Sequence, residues 1–217
     1  MASEEYDVLE REVNAALTAE QRQVRDAIIA EFDGLARRLA PLPAGAAAPP
    51  FVLPSGDGRL VGLNQLLADG PALIHFYRGH WCNICRHELK TFARTQHRFD
   101  ELGVRLAFIS PDSVEDARRV GETFGLGLDM LSDTGGRVAR DFGVEVRLNE
   151  ANRALYDTTG VTLSACDAEP CWSLPTPSSF LVGPDRTILY SHQETSLRTR
   201  LDPVDMVIAL KSLLPAA

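Results

Sequence analysis

Cysteine is scarce in this chain, four among 217 residues, and that scarcity excludes a disulfide-built scaffold. A basic excess is also missing. The net charge of −8 argues against a nucleic-acid or anionic-membrane surface, both of which need cationic side chains to neutralise phosphates. Small-molecule or protein thiol partners fit better. Roughly the first 40 residues carry charges throughout and hold no apolar run of signal-peptide or membrane-spanning length, so the expected setting is cytoplasmic. Neither an internal repeat nor a low-complexity tract stands out beyond one proline-rich stretch. The 45% hydrophobic content is enough to bury a full core, and the length suggests one domain with an extension.

Against that background one stretch concentrates the chemistry: ALIHFYRGHWCNICRHEL, residues 72–89. Its apolar beginning reads as a buried strand. An Arg78-Gly79 turn then delivers Trp81, Cys82 and Cys85 to the start of an amphipathic helix with Leu89, Phe92, Ala93, Gln96 and Phe99 on one stripe. At a helix N-terminus the free backbone N–H groups and the positive end of the dipole favour thiolate over thiol. The two cysteines, three apart, come within reach of one another on the first turn. They could be a redox dithiol, half of a zinc site completed from His80, His87, Cys166 or Cys171, or inert core residues. Strand, turn, W-C-x-x-C and helix read as redox, which requires no metal or organic cofactor.

Along the chain, residues 1–40 read as two helices broken near Thr18, where Thr18-Ala-Glu-Gln21 resembles a capping box. Val24, Ile28, Phe32, Leu35 and Leu39 mark one face of the second helix. This arm either packs on the domain or serves as a dimerisation arm, giving a homodimer, and is expected to be dispensable for the thiol chemistry. A Pro/Gly-rich linker at 41–50 follows, and the division is drawn as arm and linker, 1–44, then domain, 45–217. Residues 51–63 read as strand, turn and strand, and 64–68 as a short helix. Beyond the dithiol helix come a strand at 104–110, a helix at 113–124, a short strand at 130–132 and a short helix at 136–142. Residues 143–175 show the least regularity, with a helical turn or two at 150–156 and a loop carrying Cys166 and Cys171. Strands at 180–182 and 187–190 form a hairpin, and a helix at 203–214 presents Val204, Val207, Ile208 and Leu214 to the sheet. The pattern is α/β, with a central mixed sheet flanked by helices.

That order of elements is the order of the thioredoxin fold, and residues 51–214 resemble peroxiredoxin-like proteins of the alkyl hydroperoxide reductase / thiol-specific antioxidant (redoxin) superfamily. The resemblance is carried by FYRGHWCNICRHEL, by WSLPTPSSFLV and by the late RLDP at 200–203. It implies a thiol-dependent antioxidant oxidoreductase that reduces peroxides or disulfides and is restored by a thioredoxin-type reductant. The sequence departs from the peroxiredoxin site pattern P-x-x-x-T/S-x-x-C: Arg78 takes the proline position, Cys82 the Thr/Ser position, and only Cys85, at the peroxidatic cysteine, is kept. Pro177 takes the place of a family arginine and matches the cis-proline of thioredoxin-type reductants, whose extended backbone would pair with a substrate strand. Arg78, Arg86 or Arg200 would have to replace the lost arginine. Thioredoxin logic makes Cys82 the nucleophile and peroxiredoxin logic makes it Cys85; the helix tip favours Cys82. Trp81 and Trp172 are expected as walls, and His80 and His87 as solvated polar residues. With Cys82, Cys85, Arg78, Trp81, Pro177 and Arg200 as the site, disulfide exchange is expected to outpace peroxide reduction. The alternatives are a dedicated thiol–disulfide oxidoreductase for one small molecule or protein, and a non-enzymatic redox-sensing binding module.

Overall fold

The computed structural model describes residues 2–125, 129–161, 163 and 172–214. Two helices lead, α1 (Ala2–Ala16) and α2 (Ala19–Ala36), and then β1 (Val52–Pro54), β2 (Leu60–Gly62) and α3 (Leu63–Leu66). The middle of the chain runs β3 (Ala72–Phe76), α4 (Asn83–Asp100), β4 (Arg105–Ser110), α5 (Val114–Phe124), β5 (Asp129–Ser132) and α6 (Arg137–Asp141). The remainder is β6 (Glu145–Leu148), α7 (Glu150–Asp157), β7 (Trp172–Pro175), β8 (Ser178–Val182), β9 (Ile188–Gln193) and α8 (Pro203–Lys211).

A five-stranded mixed sheet in the order β5-β4-β3-β8-β9 forms the centre. Strands β3, β4 and β5 are parallel, and β8 runs antiparallel to both β3 and β9. Every residue of β3 is buried, as a strand covered on both faces requires. One face packs with Phe51, Val61, Leu66, Phe142 and Phe180. The other carries α4 and α8, with Leu89, Phe92, Phe99 and Leu210 in a cluster that also holds both Cys82 and Cys85. The dithiol therefore sits at the end of the most buried strand, on a helix whose apolar stripe anchors it.

The capping box at the start of α2 is present: Thr18 caps Gln21 and Gln21 returns the bond. A third cluster joins Ile28, Ile29, Phe32 and Ala36 of α2 to Val146, Leu148, Tyr156, Leu174 and Leu197. Asp33 ties the same helix down by accepting from the Leu197 N–H at 2.8 Å and the Ser196 hydroxyl at 2.9 Å. The linker is also fixed, since Leu42 N–H donates to Phe142 and Gly45 N–H to Ile188.

Two expectations are corrected here. The closing helix buries Pro203, Met206, Val207 and Leu210, one stripe at i, i+3, i+4 and i+7, and leaves Ile208 63% exposed. The segment read as least regular contains the antiparallel ribbon β6–β7, in which Glu145 to Leu148 pair with Pro175 to Trp172. Cys166 and Cys171 lie outside the described residues. Among the described residues no helix is long and apolar enough to cross a membrane.

Candidate active site

Strand β3 ends at Phe76, and Tyr77 N–H still bonds to Ile109 of β4 at 3.0 Å, so the chain leaves the sheet at a fixed point. Gly79 then takes φ +146, and a Cβ there would come within 2.8 Å of Trp81 Nε1; only glycine suits both demands. Buried Asp112, just past β4, holds the turn. It accepts from the His80 backbone N–H at 2.9 Å and lies 2.8 Å from His80 Nδ1, which makes His80 a structural partner and not merely the solvated polar residue expected. The outcome is that Cys82 becomes the N-cap of α4, its sulfur accepting from the Cys85 N–H at 3.4 Å.

Each sulfur has its own guanidinium. Arg78 Nη1 lies 3.9 Å from Cys82 Sγ, and Nη2 donates to the Tyr156 hydroxyl at 2.7 Å. Its guanidinium is stacked near Trp81 at 4.7 Å and Phe32 of α2 at 4.9 Å. Arg200, whose side chain is wholly buried, brings Nη2 to 3.7 Å from Cys85 Sγ and donates from Nε to Glu88 at 3.0 Å. Glu88 in turn lies 3.5 Å from His75 Nε2, and His75 Nδ1 is 2.8 Å from Ser179 Oγ across the β3–β8 pairing. Buried charges persist when they are paired and hydrogen-bonded in this way.

This arrangement separates the two thiols electrically. Cys82 is lowered from the ordinary thiol value to about 5. The hydrogen bond from Cys85 is the chief cause, burial opposes it, and the charges of Arg78 and Arg200 add to it. Cys85 goes the other way, pushed up by burial first and then by its hydrogen bond to Cys82. The two shifts run in opposite directions, which favours ionisation at Cys82 over Cys85. Neither is in a disulfide. Cys82 faces a cavity of about 610 Å³ whose lining also includes Arg78, Trp81 and Tyr156, whereas Cys85 is fully buried.

Cys82, Cys85, Arg78, Trp81 and Arg200 are thus gathered within one cluster. Arg86 is not; it is exposed and lies over Phe124. Trp172 packs in the third cluster with Arg153 over its ring. Pro177 corrects an expectation, for no cis peptide bond occurs among the described residues. The backbone around it is already committed: β7 pairs with β6, Thr176 N–H donates to Val144, and the Pro177 carbonyl accepts from Glu194 at 2.9 Å. An edge for a substrate strand is not free there. Reading by sequence missed Tyr156, His75, Asp112 and Phe32 as parts of the site; Glu88, three residues after Cys85, was visible as the Glu of the C-x-x-E-L run. No group of three His, Cys, Asp or Glu that could hold a metal occurs among the described residues.

The AhpC/TSA family matches residues 44–191. The chain belongs to that family. Among curated proteins this AhpC/TSA chain is similar to chloroplastic peroxiredoxin Q of Sedum lineare, 29% identical over 100 residues, 46% of this chain and 53% of that protein. A Mycobacterium tuberculosis protein named as a peroxiredoxin is 33% identical over 95 residues, 44% of this chain and 62% of its own length. The chain spans about half the length of the curated relatives it matches. Among solved structures, peroxidoxin BcpB from Mycobacterium tuberculosis superposes with a TM-score of 0.64 at 24% identity, covering 80% of this chain and 99% of that one. Xanthomonas campestris peroxiredoxin Q gives 0.58 at 19%, with 75% and 90% covered. These likenesses establish the thioredoxin-like fold, and the family match leaves out both the α1–α2 arm and Arg200.

Proposed function

We propose that this AhpC/TSA-family chain is a thiol peroxidase in which Cys82 attacks the peroxide and Cys85 resolves the product. The observation that carries the reading is the asymmetry of the pair: Cys82 is held as thiolate and lines the cavity, while Cys85 is kept protonated and enclosed. The Cys82 thiolate takes one oxygen of ROOH, the O–O bond breaks, and RO⁻ leaves and is protonated, giving Cys82 sulfenic acid and ROH. The guanidinium of Arg78 is placed to donate to oxygen as charge develops. Cys85 then attacks the Cys82 sulfur; the S–S bond forms and hydroxide departs, taking the Cys85 proton to become water. Arg200 beside Cys85 Sγ favours the thiolate character that attack requires. A thioredoxin-type dithiol reduces the disulfide and is itself oxidised, so that ROOH and a dithiol become ROH, water and a disulfide. A cytoplasmic setting, where such reductants are kept reduced, belongs to the same proposal.

Disulfide exchange was expected to be faster, on the ground that a peroxide would find neither the Thr/Ser nor the arginine. Two arginines approaching the sulfurs and a committed backbone at Pro177 weigh instead for peroxide. The test is steady-state hydrogen peroxide consumption with a thioredoxin system, compared with reduction of insulin disulfides, followed by peptide mass mapping of the oxidised protein. Peroxide turnover is expected to dominate and Cys82–Cys85 to be the mapped disulfide. In stopped flow, Cys85→Ser should keep the first oxidation and Cys82→Ser should lose it; the reverse pattern would overturn the assignment of nucleophile.

A further inference from the structure

The cavity in front of Cys82 is far larger than hydrogen peroxide needs. Its volume is about 610 Å³, against roughly 30 Å³ for the share of one water in the liquid. Asn83, Thr158 and Thr159 add uncharged polar groups to its wall, and its charged residues fall in two places. Arg78, Cys82 and Tyr156 form the inner end, and Glu20, Gln21 and Arg25 stand on the arm side. Arg25 is occupied there, donating to Glu10 at 2.5 Å and to Asn14 at 2.9 Å, so it is not a spare cation awaiting an anionic head group. Apolar side chains of the arm, Val13 from α1, Leu17 from the break between the helices, and Val24 and Ile28 from α2, make much of the wall. Those residues precede the family match, which begins at residue 44. Eight of the eighteen residues that line the pocket therefore come from a part of the chain that precedes the matched family domain.

We propose, resting on the peroxidase reading above, that the α1–α2 arm is a specificity element: its apolar wall receives the uncharged body of an organic hydroperoxide whose –OOH end reaches Cys82 and Arg78. Burial of that body supplies binding that hydrogen peroxide cannot obtain, because apolar contact is proportional to the area removed from water. The chemistry is unchanged from the steps given above; the arm selects which R accompanies the O–O bond.

The test compares kcat/KM for cumene hydroperoxide and for hydrogen peroxide in the full chain, in Val24→Trp and in Val13→Trp. These place the added ring on two different helices, so that misfolding of one leaves the other informative. Calorimetric titration of the reduced protein with cumyl alcohol, the unreactive product, reads binding without turnover. The wild-type chain is expected to prefer cumene hydroperoxide, each variant to lower the ratio of the two kcat/KM values by about tenfold or more, and alcohol binding to weaken in parallel. An unchanged ratio and unchanged alcohol binding in both folded variants would overturn the proposal. Failure of either peroxide to oxidise the wild-type chain would remove the peroxidase reading, while the titration would still decide whether the arm pocket takes an apolar body.

Discussion

Replacing Arg78 by methionine tests the electrostatic basis of the site directly. Cys82 falls from the ordinary thiol value of 9.0 to about 5, a difference worth about 5 kcal/mol in favour of the thiolate at about 1.36 kcal/mol per pH unit. The hydrogen bond from Cys85 leads, but Arg78 is the larger of the two arginine contributions. At its separation of 3.9 Å a guanidinium–thiolate pair is worth about 4 kcal/mol at an effective dielectric of about 20. Methionine keeps much of the volume and removes the charge, so the Cys82 midpoint should rise by at least about one pH unit. Arg78→Lys, with charge but without the planar fork that meets Tyr156, should recover part of the difference. Iodoacetamide alkylation rate against pH, with Cys82 identified by mass, measures all three. A wild-type midpoint near the ordinary thiol value, or an Arg78→Met midpoint equal to the wild type, would refute the reasoning.

The same difference has a stability consequence whose sign is fixed. Between about pH 5 and pH 8.5 the unfolded chain binds the Cys82 proton and the folded chain does not, so this group makes stability rise with pH across that window and be lost as pH falls through about 5. Cys85 acts oppositely. Its folded pKa is raised, so its contribution is present below the ordinary thiol pKa and is lost as pH rises above it. Urea midpoints of the reduced protein should therefore climb from acid toward neutral pH and flatten or turn over beyond it, with a shallower climb in Arg78→Met.

Arg200→Met leaves the Glu88 carboxylate buried beside His75 without its cation, so it should destabilise the fold by about 3–5 kcal/mol in denaturant titration. It should also slow disulfide closure in stopped flow more than it slows the first oxidation, since Arg200 hydrogen-bonds to Cys85, while for Cys82 its charge counts for less than that of Arg78. Deleting residues 1–44 was expected to leave thiol reactivity intact. With Phe32 of α2 stacked on Arg78, the truncated protein should instead admit water around that guanidinium, screen it, and shift the Cys82 alkylation midpoint upward. An unshifted midpoint in the folded truncation would restore the earlier expectation.

What could be read in the chain depends on how far apart the cooperating residues lie. The buried strand, the helix start with its cysteines and the Thr18 capping box are local patterns in which periodicity and cap chemistry suffice. The β6–β7 ribbon joins 145–148 to 172–175, two short apolar-containing runs with no tight turn between them to betray their pairing, and so it passed as irregular. For α8 the stripe was placed one residue out of phase, which put Ile208 inside and Met206 outside; Pro203 at the helix start sets the correct phase. The two arginines divide in the same way. Arg78 lies four residues from Cys82, in the turn before the helix, and was named with Arg86 and Arg200 as a replacement for the family arginine. Arg200 is 115 residues from Cys85 and entered only through the resemblance carried by RLDP. No local rule could have aimed it at a sulfur, because its direction is set by Glu88 on α4 and by carbonyls at 197 and 199. Nor could a local rule assign one guanidinium to each thiol, or foresee that the Cys82–Cys85 hydrogen bond, lowering the first thiol and raising the second, would set them apart. That bond also explains how the site dispenses with the family's Thr/Ser. Cys82 occupies that position as N-cap, where a hydroxyl oxygen would accept the N–H of the third helical residue, and it does so with a sulfur whose pKa is lowered first by its hydrogen bond with Cys85 and then by Arg78 and Arg200.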